Sequence, residues 1–162
     1  MTGRDVIILA FESPSHTYPT TVCWLLFYIS YHKEWMNKVS DEVRAFVQKH
    51  TDTTSSDPLY KRLAAIPMSV WEEEMPALDA VLRETLRLSL NFAALRRNLF
   101  KDLHVSGDVI PKGDFLTYLV SDVHLNPDIY TKPMAFDPDR FSGSREEHKK
   151  QPYAFLGWGV GE

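Results

Sequence analysis

Several groups of residues in this chain have the types and spacing to do chemistry. Glu84 and Arg87 stand three apart in the stretch 76–90, PALDAVLRETLRLSL. On a helix that spacing sends both side chains off one flank, where a carboxylate and a guanidinium can meet each other or a common third partner. At a surface such a pair contributes about 0–1 kcal/mol. His16 and Thr17 set an imidazole beside a hydroxyl, a pairing able to relay protons near neutral pH. The same two residues are also served by Thr17 bonding back to a carbonyl while His16 faces solvent or a neighbour. Arg96 and Arg97 offer planar forks that suit a carboxylate, or else a solvated strand charge. The glycines of Phe155-Leu156-Gly157-Trp158-Gly159-Val160-Gly161 permit a close backbone approach.

The elements that must position these groups are mostly helical. Leu78, Val81, Leu82 and Leu86 recur with the period of an amphipathic helix, and Pro76 suits its first turn. Residues 6–31 are largely apolar and predict one long helix interrupted at Pro14 and Pro19, where an interior proline costs about 3 kcal/mol. Cys23, amid Val22, Trp24, Leu25 and Leu26, is expected to be a buried residue of that helix. From Glu34 a second amphipathic helix is carried by Trp35, Val39, Val43, Phe46 and Val47, with Lys38, Glu42 and Lys49 on wetter faces. Residues 51–58 form a polar linker, and Ser69 with Glu72 makes a capping box for a short helix leading to Pro76.

After Leu90 the period shortens. Ser106-Gly107 and Pro111-Lys112-Gly113 are turns between apolar runs, ahead of a strand over 115–120. A short helix ends before Pro127 and holds His124 in a structural role. The charged run 142–151 reads as a solvated insertion. The fold class is mainly α with a small antiparallel β-sheet.

A helix bearing Glu-x-x-Arg, then Phe136-Asp137-Pro138-Asp139-Arg140-Phe141, then the glycine-rich aromatic run, in that order, resembles the haem-thiolate monooxygenases of the cytochrome P-450 family. The resemblance implies a truncated P-450-like fold over residues 1–162, running from the distal helix to the start of the haem-binding loop. It implies that Glu84, Arg87 and Arg140 form a buried charged triad that holds the meander against the core. The apolar helix would cross the distal face of the haem and break at His32-Lys33-Glu34-Trp35. His16-Thr17 followed by Trp24 is similar to the sterol 14-alpha-demethylase branch, where the pair belongs to proton delivery; this makes His16 and Thr17 the catalytic candidates. Ser13-Pro14 departs from the family's Ala-Gly at that place, and proline does not substitute for a glycine beside oxygen.

Arg97, with Arg96 as the adjacent register, takes the place of an arginine that binds a haem propionate. Ala93, Ala94 and Leu95 would then face the pocket, or the core. Trp158, Gly159 and Gly161 match the haem-binding loop, with Trp158 where phenylalanine is usual and Glu162 where the branch often has arginine. In that pattern the iron-ligating cysteine lies beyond Glu162, so no metal ligand is assigned within the chain. For the complete enzyme the resemblance implies haem iron, an NADPH-dependent reductase, and insertion of one oxygen atom of O2 into an apolar, sterol-like or lipid-like substrate. It also implies association with the endoplasmic reticulum membrane. This chain is expected to be a C-terminal-half fragment, catalytically incompetent and without bound haem on its own. The alternative is a non-catalytic fragment that binds a protein partner through exposed apolar surface.

Composition narrows the field further. A chain of 162 residues, 44% hydrophobic and 12% aromatic, can bury the core of one globular domain. A net charge of −4 with no basic cluster argues against nucleic acid as a partner. The single cysteine, Cys23, excludes an intramolecular disulfide and a multi-cysteine zinc site. The apolar run 22–29 is short of the ~20 residues of a membrane span, and no signal peptide is visible, so the anchor of a full-length relative is expected to be missing here. Ser121, Asp122 and His124 lack the glycine elbow of a serine hydrolase.

Overall fold

The structure is a computed structural model and describes residues 17–52, 54–90, 93–143 and 145–157, with side chains from residue 20 onward. In chain order it runs through helices α1 (Thr17–Tyr31), α2 (Lys33–His50), α3 (Leu59–Ala64), α4 (Met68–Glu74) and α5 (Pro76–Ser89). Strands β1 (Ala93–Arg97), β2 (Leu103–Val105), β3 (Asp108–Ile110) and β4 (Phe115–Leu119) follow, then α6 (Val120–His124) and two 3-10 turns, η1 (Pro138–Phe141) and η2 (Glu147–Lys149). The fold is mainly α. Its small antiparallel component is two separate ladders, β1 with β4 and β2 with β3.

Helix α5 is the centre of the packing, touching α1, α2, α4, α6 and η1. Its apolar stripe buries Ala77, Ala80, Val81 and Leu86. Ala77 and Val81 join Ile29 of α1 and Trp35 and Val39 of α2 in one cluster, with Leu25, Val43, Leu78 and Phe136 packed around it. Pro76 begins the helix, where its missing N–H is no loss. The next two backbone donors are satisfied from another helix: the Glu42 carboxylate accepts from the Ala77 and Leu78 N–H groups at 2.8 and 2.9 Å. A negative group there also meets the positive end of the helix dipole. Glu42 is therefore a cap on α5 and not the wet-face residue its position in α2 suggested.

Two further expectations are corrected by local geometry. The backbone is helical from Thr17 through Pro19 to Tyr31, because Pro19 stands in the first turn of α1, where its missing N–H is no loss; Pro14 lies outside the described residues. Cys23 is exposed. Among the described side chains of α1, Thr21 and Ile29 are buried, with Leu25 and Tyr28 half-buried between them. That set marks one face at helical spacing, and Cys23 lies on the other. His32, at φ −114° and ψ 80°, separates α1 from α2.

Helix α4 starts directly after Pro67 and has no side-chain cap, so Ser69 sits inside it and the expected capping box does not form. The β2–β3 hairpin turns through Ser106 and Gly107, both at positive φ, as a two-residue turn between twisted strands requires. In the longer ladder Arg97 is paired with Phe115 and Arg96 with Leu116.

Candidate functional site

Helix α5 sends Glu84 and Arg87 from one flank into the interior, and neither is exposed. The carboxylate of Glu84 accepts twice from Arg87, from Nε at 2.7 Å and from Nη2 at 2.8 Å, the parallel fork geometry of a strong charge-assisted pair. Its Oε1 also accepts from the Asp137 N–H at 2.9 Å and from Nε of Arg140 at 3.1 Å. Arg140 is delivered by η1, which Pro138 opens after the extended Asp137. Ala135 closes the group, its carbonyl accepting from Nη2 of both Arg87 and Arg140, at 3.3 and 3.2 Å. The structure thus brings Glu84 and Arg87, neighbours on α5, together with Arg140, 56 residues from Glu84 in sequence.

A fourth charged residue belongs to this cluster. Glu147, 4% exposed, accepts from Nη1 of Arg140 at 2.6 Å and from the Thr131 N–H at 3.1 Å. Arg145 donates to its other oxygen from Nη2 at 2.9 Å. Burial alone would raise the Glu147 pKa, but the hydrogen bonds from Arg145, Thr131 and Arg140 outweigh it and hold the carboxyl at about 2. The run 142–151 is accordingly solvated only in part: Ser142, Gly143, Arg145 and residues 149–151 are exposed, as expected, but Glu147 is buried. Glu146 takes a left-handed conformation at φ 33°, where the chain turns into η2.

Beside the cluster lies the start of the glycine-rich run. The Tyr130 hydroxyl donates to the Ala154 carbonyl at 2.8 Å, and the Leu156 N–H donates to Nε2 of His124 at 2.9 Å. Arg87 reaches both supports: Nη1 donates to the His124 carbonyl at 2.6 Å, and the guanidinium lies 4.9 Å from the Tyr130 ring centre. Burial, then the charge on Arg87, depress the His124 pKa to about 4, and burial raises that of the Tyr130 phenol. Gly157 is buried, and a Cβ there would stand 2.4 Å from Cζ of Phe155, so a larger residue would have to displace that ring.

The remaining candidates fall as follows. Arg97 is exposed at the end of β1, its Nε donating to the Gly113 carbonyl at 3.0 Å and its guanidinium 5.5 Å from the Phe115 ring centre. Arg96 is also exposed. Ala93 and Leu95 are exposed and Ala94 half-buried, so none of them is in the core. Thr17 is helical in backbone; His16, Trp158, Gly159 and Gly161 lie outside the described residues.

A family model described as Cytochrome P450 matches residues 5–162. The chain belongs to the cytochrome P450 family. Cytochrome P450 monooxygenase AacuE of Aspergillus aculeatus is 33% identical over 136 residues, 82% of this chain and 27% of that protein. Cytochrome P450 monooxygenase nsrP of Aspergillus novofumigatus is 35% identical over 136 residues, 82% of this chain and 26% of that protein. Cytochrome P450 3A29 of Sus scrofa is 31% identical over 161 residues, 98% of this chain and 28% of its own length. Among solved structures, retinoic acid-bound cyanobacterial CYP120A1 matches with a TM-score of 0.65 and 27% identity, over 88% of this chain and 29% of that one. The chain thus spans about a quarter of the length of the P450 relatives it matches.

A P450 haem iron takes a cysteine thiolate as its protein ligand. Cys23, the single cysteine, is exposed on α1. Among the described residues no three His, Cys, Asp or Glu side chains converge on an ion. No described residue is assigned as a ligand of the iron, and no chemistry of the iron is assigned to this chain.

Proposed function

We propose that this chain is the part of a P450 monooxygenase that carries the charged scaffold for the haem-binding loop. The observation that carries this reading is the wholly buried Glu84 carboxylate shared by Arg87 and Arg140. It ties α5 to η1, and through Arg87 to the residues that hold 154–156. In the whole protein the reaction would be insertion of one oxygen atom of O2 into an apolar substrate, with electrons from an NADPH-dependent reductase and haem as the cofactor. His16 and Thr17 are proposed for proton delivery, Arg97 for a haem carboxylate, and Trp158, Gly159 and Gly161 for the loop around the iron. Support for Arg97 is its exposed guanidinium at the end of β1. The sterol-like refinement rests on His16, Thr17 and Trp24; the relatives named above are not called sterol demethylases, and the substrate class stays at an apolar molecule.

Alone, the chain is proposed to be catalytically incompetent; the support is that its single cysteine, Cys23, is an exposed residue of α1. Endoplasmic reticulum association belongs to the proposal for the whole protein; among the described residues no helix is long and apolar enough to cross a membrane. The test is a haem titration of the chain with a reduced carbon monoxide spectrum, beside a version extended by the family's cysteine-bearing residues. A thiolate-type band in the extended version only is the expected result. Absence of haem binding in both favours the second reading, a partner-binding fragment. The observation behind that reading is the exposed aromatic face of α1, with Trp24 at 41%, Phe27 at 49% and Tyr31 at 74% exposure.

A further inference from the structure

Glu84 and Arg87 are far from the glycine-rich run in sequence, and two wholly buried side chains outside the cluster join them to it. Nε2 of His124 accepts from the Leu156 N–H at 2.9 Å, and the Tyr130 hydroxyl donates to the Ala154 carbonyl at 2.8 Å. One strand of backbone is thereby held at an acceptor and at a donor two residues apart. Both holding residues rest on Arg87, which donates to the His124 carbonyl at 2.6 Å and lies 4.9 Å from the Tyr130 ring centre.

We propose that His124 and Tyr130 are positioning residues, a two-point clamp that sets the direction in which the chain enters the glycine-rich loop, with His124 acting as a neutral imidazole protonated at Nδ1. The importance of the clamp for a haem protein rests on the function proposed above; the clamp itself does not. A backbone N–H needs a lone pair, so Nε2 carries no proton and the neutral ring holds its proton on Nδ1. An imidazolium would set Nε2–H against the Leu156 N–H and open the clamp. Nδ1 is buried without a hydrogen-bond partner among the described residues, so nothing there selects the tautomer and the Leu156 contact decides it. His124 is wholly buried, which keeps water from competing for Nε2, and Phe155 stacks on the face of the imidazole at 5.4 Å and 20°. The depressed His124 pKa agrees with a ring that stays neutral at physiological pH.

A residue that merely fills space is replaceable by any side chain of its size, whereas this role needs an acceptor at the Nε2 position. His124→Gln can place its amide oxygen there; His124→Leu has none. Tyr130→Phe keeps the ring beside Arg87 and loses only the donor to Ala154.

The experiment uses the isotope-labelled full chain. Long-range proton–nitrogen correlations of the His124 ring report the tautomer, and amide exchange at Leu156 is read against Thr85 inside α5. The clamp predicts the Nδ1–H tautomer at pH 7. It also predicts exchange at Leu156 at least about tenfold faster in His124→Leu with Thr85 unchanged, and recovery to within about threefold of the parent in His124→Gln. Tyr130→Phe should shift the Ala154 carbonyl resonance and leave the His124 tautomer as it was. An Nε2–H tautomer in the parent overturns the proposal even if His124→Leu fails to fold, and so does unchanged Leu156 exchange in a folded His124→Leu. None of these readouts involves haem, so failure of the clamp is separable from failure of the monooxygenase reading, which the carbon monoxide spectrum decides.

Discussion

Nη1 of Arg140 donates to the Glu147 carboxylate at 2.6 Å. Because Nε of the same guanidinium donates to Glu84 at 3.1 Å, one arginine joins two buried carboxylates. With Arg87 on Glu84, two positive and two negative side chains share the interior, none more than 5% exposed. Without Glu147 the cluster would hold one uncompensated positive charge in a site that water does not reach. Removing one partner of such a group costs far more than removing an exposed ion pair.

Glu147→Gln should therefore destabilise the chain by about 3 kcal/mol in urea unfolding at pH 7. The neighbouring Glu146→Gln breaks only an exposed pair with Lys149 and should stay within about 0.5 kcal/mol of the parent. Equal effects of the two substitutions would mean that Arg140 does not depend on Glu147.

Glu42→Ala leaves the Ala77 and Leu78 N–H groups at the start of α5 without their carboxylate. The expected loss is about 1–2 kcal/mol, within the range for a helix cap with a favourable dipole interaction. Glu42→Gln keeps an acceptor but no charge and should lose less. The order of urea midpoints, parent above Gln above Ala, checks this.

Acid should weaken the fold in two stages. His124 titrates near 4 in the folded chain against an ordinary 6.5, because burial and then Arg87 oppose its charge. Between those values the unfolded chain binds the proton and the folded chain does not, so stability falls as pH drops from 6.5 towards 4, by roughly 3 kcal/mol when complete. Glu147, held near 2 against an ordinary 4.5, has the same sign over a lower window and adds a loss as pH falls below 4.5. Urea midpoints measured from pH 7 to 3 follow both stages, and His124→Gln should flatten the upper one only.

What the sequence made legible was what local periodicity and linear motifs encode. The stripe Leu78, Val81, Leu82, Leu86 predicted α5, and Glu84 with Arg87 share a flank because helix geometry leaves no alternative. The segment 136–141 could be matched to Glu84 only through the ordered motifs. Cys23 was misplaced because α1 is apolar nearly all round, so no polar stripe distinguishes its faces. Glu42 was missed because its partners lie 35 and 36 residues away, beyond any local pattern. Glu147 sits in the run Arg145-Glu146-Glu147-His148-Lys149, which looks solvated from end to end. The left-handed turn at Glu146 precedes the one carboxylate of that run that is buried, and a non-glycine residue carries no sequence mark for such a turn.

The central claim is that a buried bridge between Glu84 and Arg140, 56 residues apart, locks η1 onto α5. A double-mutant cycle with Glu84→Gln and Arg140→Met, read by urea unfolding at pH 7, tests it most directly. The account predicts a coupling of about 2–3 kcal/mol, because each single substitution strands a charge that the double substitution removes. A coupling below about 0.5 kcal/mol, the size of an exposed pair, would contradict it.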